Sequence, residues 1–173
     1  MDAGELKALQ APLKDRYREK PEAAVFTLKA EGRIGEGVTC SVRTGKALVE
    51  AGLHPATGGT GMHACSGDML LEALVACAGV TLAAVATALG ITIREGTVRS
   101  EGDLDFRGTL GVSKEAPVGF QRIRLFFDLA TTASADELAT LIKLTERYCV
   151  VYQTLCHSPE MNVSIRGEIG TET

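Results

Sequence analysis

The sequence predicts an α+β fold with a mainly antiparallel sheet and two long helices, and three observations carry that prediction. From Ala73 to Ile93 the chain runs without a charge and is rich in Ala, Gly, Thr and Cys, a composition that suits a helix enclosed by protein. Ser134-Ala135-Asp136-Glu137 is a capping box, in which the Ser oxygen and the Glu carboxylate each take an amide left open at a helix start. The alternating segments cluster and are joined by Gly-rich turns, which indicates hairpins rather than repeated strand-helix-strand units. At 173 residues, 45% of them apolar, the chain fits one domain with an ordinary core. Residues 1–21 read as a charged arm and residues 22–173 as the domain.

Taken in order, the arm is an amphipathic helical segment broken by Pro12 and ended by Pro21. Ala24 to Ala30 and Val38 to Thr44 alternate as strands of a hairpin turning through Gly32, Gly35 and Gly37, and Lys46 to Glu50 is a third strand. The stretch from His54 to Cys65 contains Gly58-Gly59-Thr60-Gly61 but no Lys-Ser/Thr and no dinucleotide fingerprint. It therefore reads as a turn-rich connector, not a phosphate cradle. Ser66 is placed to cap a helix with Asp68 in its first turn, where a carboxylate complements the dipole, and Gly90 ends that helix after Leu89. Ile91 to Phe106 is one long strand or two joined by a bend, Gly108 to Gly119 a loop, and Gln121 to Leu129 another strand. After Ser134, apolar positions at Leu138, Leu141, Ile142, Tyr148, Cys149 and Tyr152 keep helical spacing along one stripe. Pro159 stops that region, and Asn162 to Ile169 is the final strand.

Composition excludes several function classes. Lys and Arg number 18 against 22 Asp and Glu, a net charge of −4 without a basic run, so neither a nucleic-acid footprint nor a basic membrane-surface patch is present. With 5 Phe, 3 Tyr and no Trp, stacking platforms and aromatic cages are not expected. The uncharged run has the length of a membrane span, but its small residues and terminal glycine favour a core helix. Ala76, Ala78, Gly79, Ala83, Ala84 and Ala86 would let a second backbone approach, and so short a chain is expected to cover such a helix by pairing with a second copy.

Five cysteines are an odd count, and the first residues carry no basic-then-apolar leader, so a cytoplasmic, reduced protein is expected. His63-Ala64-Cys65 and Cys156-His157 lack the paired spacing of a zinc site, and no metal or other cofactor is expected. On spacing alone Cys77 and Cys149 read as small core residues.

Two cysteine-centred stretches carry a resemblance. Gly58-Gly59-Thr60-Gly61 followed by Asp68-Met69-Leu70-Leu71-Glu72-Ala73-Leu74-Val75-Ala76-Cys77 resembles the Gly-rich loop and first cysteine helix of the OsmC/Ohr family, the osmotically inducible and organic hydroperoxide resistance proteins. Leu144-Thr145-Glu146-Arg147-Tyr148-Cys149-Val150-Val151 is similar to its second cysteine helix, and strand order agrees from Ala24 to Ile169. The resemblance implies an intertwined homodimer that reduces hydroperoxides, organic ones above all because the surroundings of Cys77 are apolar, with electrons from an external dithiol. Cys77 matches the attacking thiol, oxidised to a sulfenic acid, and Cys149 the thiol that resolves it as a disulfide. A mid-helix thiol gains little from its own helix dipole, and the resemblance supplies a cation: Arg33, in a Gly-Arg turn, with Arg43 as the alternative, and Asp68 as its orienter. Three departures stand out: Gly67-Asp68 where the family carries Glu, Cys149-Val150 where it carries Cys-Pro, and the additional His63 and Cys65. A non-catalytic binder of a small acyl or hydrophobic ligand at the dimer interface is the alternative function.

Overall fold

The computed structural model describes residues 2–20, 31–34, 39–43 and 48–165. The arm is a helix, α1 (Ala3–Glu19), that runs through Pro12 instead of breaking there. Proline's fixed φ is compatible with the helix, so the cost is one missing amide bond and a local clash, not termination. Asp2 and Glu5 exchange backbone-to-carboxylate bonds of 2.8 Å at its start.

The first sheet has the order β1 (Glu31–Ile34), β2 (Thr39–Arg43), β3 (Leu48–Gly52), β4 (Ala64–Cys65), antiparallel except for the β3-β4 pair. The strand expected over 24–30 lies outside the described residues, and Gly32, expected in the turn, pairs with Val42 inside β1. Of the third strand expected over 46–50, residues 46 and 47 lie outside the described part, and the strand is described from Leu48 on to Gly52, two residues past the expected end. Between β3 and β4 the connector holds a single 3-10 turn, Pro55–Thr57, in which His54 Nδ1 accepts the Ala56 amide at 3.0 Å.

Helix α2 (Ser66–Leu89) is 24 residues long. Its N-cap is Cys65, not Ser66: pairing of Cys65 with Gly52 in β4 keeps that residue extended, so Ser66 becomes the first helical residue. Gly90, at φ 72°, closes the helix by donating its N–H to the Ala86 and Thr87 carbonyls, a left-handed turn that a Cβ would strain. One stripe of α2, Leu74, Ala78, Leu82 and Ala86, is buried at four-residue spacing. The opposite side exposes Val80 at 73%, while Leu70 and Leu89 are exposed toward the two ends of the helix. By length and composition α2 could cross a membrane, yet its buried stripe packs on protein.

That stripe meets the second sheet and the last two helices. Strands β5 (Ile93–Leu104) and β6 (Phe120–Thr131) form one long antiparallel ribbon joined through a single helical turn, α3 (Phe106–Thr109), where a plain loop was expected. Ile123, Leu125, Phe127 and Leu129 point from β6 toward the helices. The intervening residues face outward, with Arg124 bonded to Glu101 at 3.1 Å and to Asp103 at 2.7 Å, and Arg99 to Asp128 at 3.2 Å. Such exposed pairs contribute little. The buried Leu side chains contribute roughly 1.5–3 kcal/mol each.

Helix α4 (Ala135–Tyr148) starts on the expected capping box: Ser134 Oγ accepts the Glu137 amide at 3.3 Å, and Glu137 accepts the Ser134 amide at 2.7 Å. Leu141 is fully buried, and the buried Thr145 hydroxyl donates to the Leu141 carbonyl at 2.8 Å. The apolar stripe expected to run on to Tyr152 in one helix is interrupted at Cys149, after which α5 (Val150–Cys156) begins. Of the expected final strand, residues 162–165 are irregular with Val163 and Ile165 exposed, and residues 166–169 lie outside the described part.

Candidate active site

Two thiols meet where α2 passes the junction of α4 and α5. Cys77 lies midway along α2, and Cys149 belongs to neither neighbouring helix: its backbone is extended at φ −73°, ψ 107°. Its N–H donates to the Thr145 carbonyl and its carbonyl accepts from Gln153, each at 2.9 Å, so one residue closes α4 and opens α5. Gln153 Nε2 ties the two together by donating to the Glu146 carbonyl at 2.8 Å. Because α5 starts afresh, the amides of Val150 and Val151 have no carbonyl one turn earlier to bond within it. Both favour the ionised form of the Cys77 thiol.

The two thiols are driven apart in acidity. Burial works against charge on Cys77, but the Val151 amide, the Cys149 thiol, the Val150 amide and the Thr81 hydroxyl outweigh it and hold the Cys77 thiol below its ordinary value. Cys149 is only 1% exposed, and burial pushes its thiol up. The Tyr152 amide opposes that rise, while the Cys77 side chain and its charge reinforce it. The walls are apolar, with Val98, Ile123, Leu125 and Phe127 packed around the pair. A cavity of about 440 Å³ is lined by Leu74, Phe120, Leu125, Tyr152 and Leu155, with Arg122 and Glu146 among its polar groups, and the cysteine that reaches it is Cys156 rather than Cys77 or Cys149.

The arrangement combines a thiol inclined to ionise with a neighbouring thiol held protonated. Such a pair can attack an electrophilic oxygen or sulfur and then close a disulfide. Cys65, Cys77, Cys149 and Cys156 are free thiols, and the side chain of Cys40 in β2 lies outside the described part. Among the described residues no three His, Cys, Asp or Glu side chains are grouped to hold a metal.

The other residues singled out from the sequence lie elsewhere. Asp68 precedes Cys77 by nine positions on α2, about 13 Å along the axis and about half a turn around it. It faces a second cavity of about 390 Å³ with His54, Cys65 and Phe106. The structure therefore does not bring Asp68 to the Cys77 of its own chain. Arg33 pairs with Ser41 in the first sheet and Arg43 ends β2 opposite Glu31, while their side chains lie outside the described part. His63 Nδ1 stands 3.9 Å from a Glu50 oxygen, and Cys156 is exposed at the end of α5 beside Tyr152.

Sequence reasoning missed the uncharged donors around Cys77. Backbone amides leave no trace in residue identity, and no Gly or Pro marks the break at Cys149. Thr81 was within reach, since it stands four residues after Cys77 on the same helical face.

Comparison with known proteins now adds a family. Residues 59–164 match the family described as OsmC-like protein. Among solved structures, the fold is similar to an OsmC-like protein from Mycoplasma pneumoniae, with a TM-score of 0.65 and 17% identity over 77% of this chain and 89% of that one. It is similar to an organic hydroperoxide resistance protein OsmC from Legionella pneumophila, with a TM-score of 0.61 and 17% identity, covering 78% and 92% of the two chains. The organic hydroperoxide resistance protein OhrB of Bacillus subtilis aligns with a TM-score of 0.52 and 19% identity over 78% and 94%. At these identities the likeness concerns the fold. A comparison with curated proteins gives no match.

Proposed function

We propose that this chain, which belongs to the OsmC-like family, is a thiol-dependent hydroperoxide reductase with Cys77 as the nucleophile and Cys149 as the resolving thiol. The observation that carries this reading is the pairing of the two thiols with opposite acid shifts inside apolar walls. The thiolate of Cys77 attacks the terminal oxygen of ROOH; the O–O bond breaks, and the alkoxide takes a proton and leaves as ROH. Cys77 is then a sulfenic acid, oxidised by two electrons. The Cys149 sulfur attacks it, an S–S bond forms, and hydroxide leaves with the Cys149 proton as water. An external dithiol returns both thiols by exchange, with no bound cofactor in the cycle.

The apolar side chains packed with the two thiols support an organic R group, and the names of the Legionella and Bacillus proteins agree with that choice. The exposed apolar side of α2 supports a homodimer, in which a second copy covers Val80 and its neighbours. We place the protein in the cytoplasm, where a dithiol supply keeps both cysteines reduced. Arg33, carried by β1, is the cation proposed to assist ionisation from across the assembled site, with Asp68 as the acid that orients it.

The test is consumption of an organic hydroperoxide coupled to dithiothreitol oxidation by the purified protein. Wild type is expected to turn over, Cys77→Ser to be inert, and Cys149→Ser to stop with Cys77 as sulfenic acid or over-oxidised. Arg33→Ala is expected to slow the reaction at neutral pH and to recover as pH approaches the free-thiol value of about 8.5. Wild type no faster than Cys77→Ser would end this reading.

A further inference from the structure

We infer that Cys65 is a second reactive thiol, set in a cavity of its own, where it forms a mixed disulfide with a small disulfide that carries no negative charge. The inference goes beyond hydroperoxide reduction and does not rest on it. Three parts of the chain converge there: Cys65 closes β4, Asp68 stands in the first turn of α2, and His54 comes from the connector between β3 and β4. All three line the cavity of about 390 Å³, which neither Cys77 nor Cys149 reaches. Leu71, Phe106 and Phe120 are among its apolar walls. Room beside the sulfur exists because residue 67 is glycine. A Cβ there would stand 3.6 Å from Cys65 Sγ, 3.6 Å from Leu104 and 3.5 Å from Phe120, in ordinary contact with each. A side chain would therefore fit without strain and cover the thiol, and Gly67 leaves it open instead.

The polar groups around this thiol favour its anion and turn other anions away. Cys65 is the N-cap of α2, yet its side chain makes no cap bond, so the first amides of the helix keep free hydrogens near the sulfur. His54 adds a further donor. Its Nδ1 accepts the Ala56 amide at 3.0 Å, which leaves the neutral ring with its hydrogen on Nε2, and the ring stacks on Phe106 with centroids 4.9 Å apart. No Lys or Arg lines the cavity. Of its two carboxylates, Asp103 is bonded to Arg124 at 2.7 Å, and Asp68 has no hydrogen bond or ion pair among the described residues. An anionic disulfide is therefore repelled at the mouth. The step is an exchange: the Cys65 thiolate attacks one sulfur of RSSR, the S–S bond breaks, and RS⁻ leaves and takes a proton from water. Cys65 is oxidised and the small disulfide is reduced. No second cysteine lines the cavity to displace the adduct, so it is retained.

The test uses the reduced full-length protein. Cystamine, hydroxyethyl disulfide and dithiodipropionate, alike in size and different in charge, are added separately, and adducts are located and counted by peptide mass spectrometry after an acid quench. Cys156, exposed at the end of α5, is the internal reference. Cys65 is expected to react with cystamine about threefold faster than Cys156 in spite of its lower exposure. Its preference for cystamine over dithiodipropionate should exceed that of Cys156 about fivefold, with hydroxyethyl disulfide between the two. Gly67→Ala, which sets a methyl against the sulfur at a helical position that suits alanine, should make Cys65 slower than Cys156. His54→Asn keeps an acceptor for the Ala56 amide and should slow Cys65 about threefold. Cys156 should be unaffected by either change. Circular dichroism reports whether each variant is folded. Cys156 reacting as fast as Cys65 in wild type, the same charge preference at both thiols, or an unchanged Cys65 rate in either folded variant overturns the inference.

Discussion

Oxidising the protein with one equivalent of an organic hydroperoxide should make it more stable, because a Cys77–Cys149 bridge would join elements far apart in sequence. The loop it closes spans about 72 residues, for which the chain-entropy relation gives about 4 kcal/mol at 25 °C. For a chain of this length that corresponds to a rise in Tm of roughly 10 °C. Distortion of the bridge would subtract from the figure, so it is an upper value. The bridge needs Cα atoms within roughly 7 Å, and Cys77 packs against the buried cluster to which Cys149 belongs. Guanidinium unfolding of reduced and oxidised protein at one fixed protein concentration reads the difference, with peptide mapping to locate the bridge. Cys149→Ser treated in the same way should show no gain. A mapped Cys77–Cys149 bridge that leaves the midpoint unchanged or lowers it, or a predominant bridge to Cys65 or Cys156, would refute the arrangement of the thiols argued here.

Three further outcomes are expected. Val150→Pro removes one amide facing Cys77 at a helical first position where proline is well tolerated, so the alkylation midpoint of Cys77 should rise while the thermal transition moves little. Light scattering at micromolar concentration should give about twice 18.2 kDa, and Val80→Lys, on the exposed side of α2, should shift the population toward monomer. Because the folded pKa of Cys77 lies below its unfolded value of about 8.5, its contribution to stability is full above the unfolded value and is lost as pH falls through the folded one. Urea midpoints should therefore climb with pH on approach to about 8.5, and Cys77→Ser should flatten that climb.

Much of the fold was legible because its signals are local. The Ser134 capping box, the Gly90 stop and the alternation of β5 and β6 each depend on a few neighbouring residues, and each stands where the sequence places it. Helix α2 was legible too, but its start was misread by one residue. A serine is the better cap in isolation, and only the pairing of Cys65 with Gly52 from another part of the chain displaces it. Of the site residues, Cys77 and Cys149 were nameable from residue type and resemblance. Asp68 comes with the resemblance, and helical phase sets it about half a turn from Cys77 on α2.

The break at Cys149 explains why spacing alone could not show how Cys77 is held. Tyr148, Cys149 and Tyr152 fit one helical stripe, and a continuous helix would satisfy every apolar position just as well. In that continuous helix the amides of Val150 and Val151 would be spent on the carbonyls of Glu146 and Arg147, and none would face α2. Interrupting the helix for a single residue frees them. It also buries the Cys149 thiol next to Cys77, so one backbone irregularity both favours the anion on one sulfur and disfavours it on the other. A change that restored the helix through position 149 should then weaken both effects together, leaving two core cysteines of ordinary reactivity.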